Sequence, residues 1–141
     1  MSNGTKVKKR DGRIEALDLE KMHLMVEEAT RGLAGVSASQ VEMKSGIQFY
    51  DGITTAEIQE ILIKAASDLI DLDHPNYQFV AARLLLFALR KQLYGKMREL
   101  PHLESHIISC TNIDVYDKGI FDKYSKEEIE KANSFVDRER D

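Results

Sequence analysis

From Phe79 to Leu89 the only residue that is not apolar is Arg83. A helix that is apolar nearly all round needs cover on most sides, so the rest of the chain must be built about it. Asp73 as cap and Pro75 in the first turn would open that helix, which the pattern predicts over 76–94 with Gly95 as its stop. The run is well short of the ~20 residues a bilayer span requires. It reads as a core helix in the middle of the fold.

Three helices are legible ahead of it. Asp18 can cap the first, where Met22, Val26, Ala29 and Leu33 recur on one face before Gly32 and Gly35 break the pattern. Ser37 and Ser39, with Gln40 and Glu42 three residues on, are overlapping capping-box signals for a second, carrying Val41 and Ile47 and ending near Asp51-Gly52. Thr54 with Glu57 starts a third, whose Ile58, Ile61, Leu62, Ala65 and Leu69 form the core-facing row. Before them all, Val7 and then Ile14 and Leu17 flank the turn pair Asp11-Gly12, which predicts a hairpin over 5–17. A two-stranded ribbon is marginal alone and must lie on something. Past Gly95 the signals predict a short helix over 101–111 and another, capped by Ser125 with Glu128, running towards Val136. The expected fold is mainly α: a four-helix bundle capped by a small β-hairpin lid, with a short helical C-terminal extension.

At 141 residues the chain is the size of one ordinary domain. Twenty basic against 24 acidic residues give no global positive field to hold a nucleic acid or an anionic membrane. Any anion site must be local. The segment Met1 to Arg10 is polar and basic with no apolar run behind it, which is the pattern of neither a secretory signal nor an anchor. The single cysteine, Cys110, allows no internal disulfide and fits a reducing compartment, so the cytoplasm is the expected location.

Strand alternation sends Lys6 and Lys8 to one face of the hairpin and Val7 and Lys9 to the other. A face both apolar and cationic suits a lid over a nucleotide, whose purine is apolar and whose triphosphate carries about three to four negative charges. A solvated basic turn would carry the same residues. No Walker glycine run and no glycine triplet after a strand is present, so a phosphate cradle would have to be built otherwise. Thr55 begins the third helix, where amides and dipole favour an anion, although a pure cap needs no ligand. Lys91 lies near the end of the fourth helix, where a cation also simply complements the dipole. His102, His106 and Cys110 recur every four residues, but the helix axis advances about 12 Å across them, too far for one ion, and no metal site is expected. Cys110 has no identifiable paired base and no serine sits in a Gly-x-Ser-x-Gly elbow, so no catalytic constellation is visible.

Three motifs occur in order: Val7-Lys8-Lys9-Arg10-Asp11-Gly12, Gln48-Phe49-Tyr50-Asp51-Gly52-Ile53-Thr54-Thr55 and Asn76-Tyr77-Gln78-Phe79-Val80-Ala81-Ala82-Arg83. Together they resemble the ATP-cone and, more closely, the N-terminal region of the large (alpha) subunits of class I ribonucleoside-diphosphate reductases. The similarity continues through Tyr116-Asp117 to Asp137-Arg138-Glu139-Arg140-Asp141. The resemblance implies a cone over 5–95 and a helical extension over 96–141 that would lead towards a catalytic barrel. It implies that Lys9, Glu15, Ala16, Leu17, Asp18, Leu19, Glu20, Lys21, Thr55 and Lys91 line a nucleotide site. The lysines and Thr55 would lie near phosphates, and Glu15 with Asp18 near the adenine. Val7, Arg10, Met22, Ile58, Gln59 and Phe87 would be further contributors.

The implied ligand is ATP or dATP, with Mg2+ accompanying it; in the family ATP promotes activity and dATP shuts it down, often through subunit assembly. The implied partners are the remainder of the large subunit and the small, radical-generating subunit, with an effector-dependent oligomeric state and neither nucleic acid nor membrane. Two positions depart from the family pattern: Asp18, where asparagine is common, and Gln59, where some relatives carry histidine. An ionised aspartate only accepts hydrogen bonds, but the adenine amino group is a donor it could meet. The two nucleotides differ by one 2'-hydroxyl, and a net hydrogen bond of about 0.5–1.5 kcal/mol is too little for a switch without amplification by a bistable element. The family's radical chemistry uses redox cysteines on the barrel, so this segment with one cysteine is expected to be regulatory and non-catalytic by itself. Two other readings use the same residues. A cone-containing transcription regulator would need a zinc ribbon, for which no cysteine pair exists. A helical docking module that has lost its ligand would show no nucleotide-dependent stabilisation.

Overall fold

The computed structural model describes residues 4–96, 99–137 and 140. Two compact units divide within one long helix, the first ending at Leu89 and the second beginning at Arg90. In the first unit the order is β1 (Lys6–Lys8), β2 (Ile14–Ala16), α1 (Leu19–Thr30), α2 (Ala38–Gly46), β3 (Ile53–Thr54) and α3 (Thr55–Ser67), followed by most of α4 (Tyr77–Tyr94). The second unit holds the end of α4 and then α5 (Leu103–Asn112), α6 (Ile120–Lys123) and α7 (Lys126–Ser134). The chain is mainly helical, with one three-stranded sheet of order β2-β1-β3 among the described residues.

Gly12, at φ 86°, closes the hairpin, and Lys6, Val7 and Lys8 pair antiparallel with Ala16, Glu15 and Ile14. The sequence pattern did not reveal the third strand. Val7 pairs in parallel with Ile53 and Lys8 with Thr54, so the lid is anchored to the start of α3. Val7 and Ile53 are both buried, and this shared apolar pair favours the register. Beneath the sheet Met22, Val26 and Ala29 of α1, Val41 of α2, and Ile58, Leu62, Ala65 and Ala66 of α3 form the core with one face of α4.

Several expectations about element ends are corrected. Ser37, not Ser39, caps α2, accepting from the Gln40 amide at 3.4 Å. The helix stops at Gly46, and Ile47 is 87% exposed rather than core, because residues 47–52 must turn back to deliver β3 to the lid. In the turn ahead of α4, which begins at Tyr77, Asp71 accepts from the Asp73 amide at 2.9 Å and the His74 amide at 2.6 Å. The fourth helix is not covered all round. Tyr77, Val80, Ala81, Leu84 and Phe87 form a single buried row, while Phe79, Leu85 and Leu89 are about half exposed. Their spacing puts the exposed residues outside the one arc that the core can cover.

Polar groups tie α4 to the α1–α2 connection. The buried Tyr77 hydroxyl accepts from the Ser37 amide at 3.0 Å and donates to Gln40 Oε1 at 3.1 Å. Arg83 donates to the Ala29 and Arg31 carbonyls at 3.1 and 2.7 Å, which satisfies the end of α1. Between α1 and α2, His23 Nδ1 lies 2.7 Å from Glu42 Oε1, and that hydrogen bond raises the imidazole pKa above its ordinary value.

In the second unit α5 and α7 pack on each other, with Ile107, Thr111 and Ile129 buried. The expected Ser125–Glu128 capping box opens α7, while α6 is a short turn of helix the sequence signals missed. His102 accepts from the Glu104 amide and pairs with Glu130 at 2.9 Å, and His106 sits between the rings of Tyr94 and Tyr116.

Tyr77→Phe removes a buried hydroxyl and leaves the Ser37 amide unsatisfied. We expect about 1–3 kcal/mol of destabilisation in urea unfolding, with no change of fold.

Candidate functional site

The geometry of interest begins with the middle strand of the lid. Backbone bonds from Leu17 to Thr5 (2.8 Å) and from Lys9 to Arg13 (2.8 Å) show that odd-numbered residues of this strand bond towards β2. The amides of Lys6 and Lys8 therefore face β3. Cross-strand partners share a face, so Val7, Glu15 and Ile53 lie on the underside, and alternation adds Lys9 to them. Val7 and Ile53 are sealed against the helices, but Glu15 sits on the edge strand with 43% of its side chain exposed. The underside is thus closed at one edge and open at the other. At the open edge Lys9 Nζ lies 3.5 Å from Glu15 Oε2. Arg13, which sequence reasoning did not single out, reaches the other Glu15 oxygen at 3.2 Å and Asp11 at 2.7 Å. Half-exposed pairs of this kind contribute little stability, so a phosphate can replace Glu15 as the partner of Lys9 at small cost.

The parallel register brings the second component. Lys8 is paired with Thr54, and the next residue on each chain is Lys9 and Thr55 respectively. Thr54, not Thr55, is the cap: its hydroxyl accepts from the Glu57 amide at 3.2 Å, while Glu57 Oε2 accepts from the Thr54 amide at 2.8 Å. Thr55 is the first residue of the helix, half-buried, where the leading amides have no intrahelical partner. One turn further along α3 are Ile58 and Gln59, both buried. The Gln59 amide makes no hydrogen bond to another described residue and keeps slight access to solvent. A buried amide in that condition has two donors and an acceptor to offer a ligand.

Of the remaining expected residues, Asp18 caps α1, accepting from the Lys21 amide at 2.9 Å, and Met22 one turn on is buried. Leu17 is half-buried; Leu19, Glu20 and Lys21 are exposed, Leu19 to 62%. Ala16 faces the outer side of the sheet opposite Lys6. Arg10 is exposed in the hairpin turn. Phe87 is buried on α4, and Lys91, half-buried in the last turn of that helix, belongs to the second unit.

The profile of the ATP cone domain family matches residues 5–92, which takes in the whole lid, α1 to α3 and most of α4. The chain belongs to the ATP-cone family. Over its full length it is 45% identical to the ribonucleoside-diphosphate reductase 1 subunit alpha of Escherichia coli strain K12. It is 48% identical over 135 residues to the ribonucleoside-diphosphate reductase subunit alpha of Buchnera aphidicola subsp. Acyrthosiphon pisum, and 42% identical over 135 residues to that of Helicobacter pylori strain 26695. These matches cover 100% or 96% of this chain but only 17–18% of the relatives' own lengths. No helix among the described residues is long and apolar enough to cross a membrane.

Behind the cone's α3 terminus stands a network that the motif alone did not explain. Tyr50 donates to Glu57 Oε1 at 2.9 Å, and Thr54 gives its hydroxyl to Glu57 Oε2 at 2.7 Å. The Thr54 hydroxyl first, then the Thr54 amide and Tyr50, hold the Glu57 carboxyl below its ordinary value of 4.5. A carboxylate with a lowered folded-state pKa contributes stability that is present above its ordinary value and is lost as pH falls through the folded value. Glu57→Gln is therefore expected to lower the melting temperature near neutrality and to flatten its decline below pH 4.5. Thermal scans of both proteins across the acid range check this.

Proposed function

We propose that the chain is an allosteric nucleotide sensor that takes ATP or dATP beneath its lid. One observation supports the reading: the parallel pairing of β1 with β3 ends at Lys8 and Thr54, the residues immediately before Lys9 and before Thr55, the first residue of α3. A flexible ammonium and a set of forward-pointing amides together suit a phosphate chain. The buried Gln59 amide and the apolar Val7, Met22, Ile58 and Phe87 support the same assignment, since a nucleotide needs both polar and apolar cover. Magnesium would arrive on the triphosphate oxygens, supplying charge neutralisation there. Glu15 and Asp18 would meet the adenine amino group, with residues 16, 17 and 19–21 and Arg10 around them. Lys91 enters this reading through the family resemblance. The four helices α1 to α4 would act as a bundle under the lid, with the regulatory cone spanning 5–95 and residues 96–141 leading towards the rest of a reductase.

By similarity to the alpha subunits, the reading places this chain in ribonucleoside-diphosphate reduction in the cytoplasm, with ATP activating and dATP inhibiting. The catalytic remainder of the alpha subunit and the radical-generating small subunit are then its partners, and assembly follows the effector bound. The chain alone would carry out no reduction.

Thermal unfolding with ATP, dATP and GTP plus magnesium tests the sensor directly. An adenine nucleotide at about 100 times its dissociation constant should add ~2.7 kcal/mol of stability, and GTP should add less. Lys9→Ala should fold normally and lose most of that gain. A wild-type gain that survives in both Lys9→Ala and Lys91→Ala would place the nucleotide elsewhere.

A further inference from the structure

The strand β3 is two residues long, and a ladder so short needs help to hold its register against the lid. The help comes from Asp51, which lies just before it. The Lys6 amide faces β3, and a longer strand would meet it with a main-chain carbonyl. Here the chain turns instead, with the Ile53 amide bonded to the Tyr50 carbonyl at 3.2 Å and Gly52 at φ 88°. That positive φ is readily adopted only by glycine. The turn carries the main chain away from Lys6, and the Asp51 carboxylate fills the gap. Its Oδ1 accepts from the Lys6 amide at 2.8 Å, while the Gly52 amide donates to the Lys6 carbonyl at 2.9 Å. Both polar backbone groups of Lys6 are thus held by two consecutive residues 45 and 46 positions away in sequence.

We infer that Asp51 is a positioning residue for nucleotide binding, a side-chain latch that locks the lid in the register where Lys9 lies beside Thr55. This rests on the nucleotide reading above. Asp51 touches no part of the proposed phosphate position itself: it acts three residues back along β1 from Lys9 and four back along the chain from Thr55. Without the carboxylate, the Lys6 amide is left to water, and the hairpin gains freedom to shift or lift relative to α3. Tyr50 and Glu57 hold the helix end of the same turn, so the latch joins two fixed points.

The test compares the 141-residue chain with Asp51→Ala, Asp51→Asn and Asp51→Glu, reading ATP affinity by calorimetry and amide exchange by NMR. Loss of one charge-assisted hydrogen bond predicts about tenfold weaker ATP binding for Asp51→Ala. Its Lys6 amide should exchange faster while the core amides of Leu62 and Ala65 keep their protection, which shows that the fold is intact. Asp51→Asn retains an acceptor oxygen and should recover most of the affinity. Asp51→Glu keeps the charge but moves the oxygens by one methylene, and should bind ATP several-fold more weakly than wild type. It also serves if the alanine variant proves unstable. ATP binding at wild-type strength by both Asp51→Ala and Asp51→Glu would overturn the latch while leaving the sensor standing. A wild-type chain that binds no adenine nucleotide would overturn the nucleotide reading and the latch's role with it.

Discussion

The parallel pairing of Val7 with Ile53 and Lys8 with Thr54 is the contact on which the rest of the site depends. Alone, the β1–β2 hairpin is a basic ribbon with an exposed second strand, and nothing local would keep it folded or placed. Alone, α3 is a well-capped helix whose leading amides face solvent. Joining them costs loop-closure entropy over some 45 residues, but that cost grows only slowly with length. Burial of Val7 and Ile53 against the α1–α3 core offsets it. The result is a small sheet with one sealed edge and one open edge.

This division explains how a site can be both positioned and mobile. The sealed edge shares its apolar residues with the core and is the harder of the two to open. The open edge rests on half-exposed ion pairs among Lys9, Glu15, Arg13 and Asp11, which are weak and exchangeable. Under the proposed function, a phosphate that recruits Lys9 would release Glu15 and so rearrange charge along β2. On that proposal, a small chemical difference between two nucleotides would be amplified by a shift of the lid rather than by the contact itself.

Much of the fold could be read from the sequence because it is written in local chemistry. Asp11-Gly12, Asp18, Thr54 with Glu57 and Ser125 with Glu128 each act within three residues of themselves, and each stands where its turn or cap signal put it. The misreadings occurred where tertiary demands overrode local ones. Ile47 looked like a core residue by period, yet the helix ends before it so that the chain can reach the lid. The fourth helix looked buried on all sides, yet only one row of its apolar residues is covered. The third strand was invisible because two residues carry no periodicity, and its partner lies 46 positions away. Lys9 and Thr55 could each be suspected from charge and helix position. That the residues before them, Lys8 and Thr54, are paired, and that Asp51 accepts from Lys6 of the same strand, required the structure.

The most direct measurement of the central claim is a two-dimensional NMR titration of the backbone amides with ATP and magnesium. If the lid and the α3 terminus together hold the phosphates, the amides of Lys8, Lys9 and Arg10 and those of Thr55 and Ala56 should shift together, along one saturating curve. Shifts confined to one of these segments, or concentrated on the outer face of the sheet at Lys6 and Ala16, would contradict it.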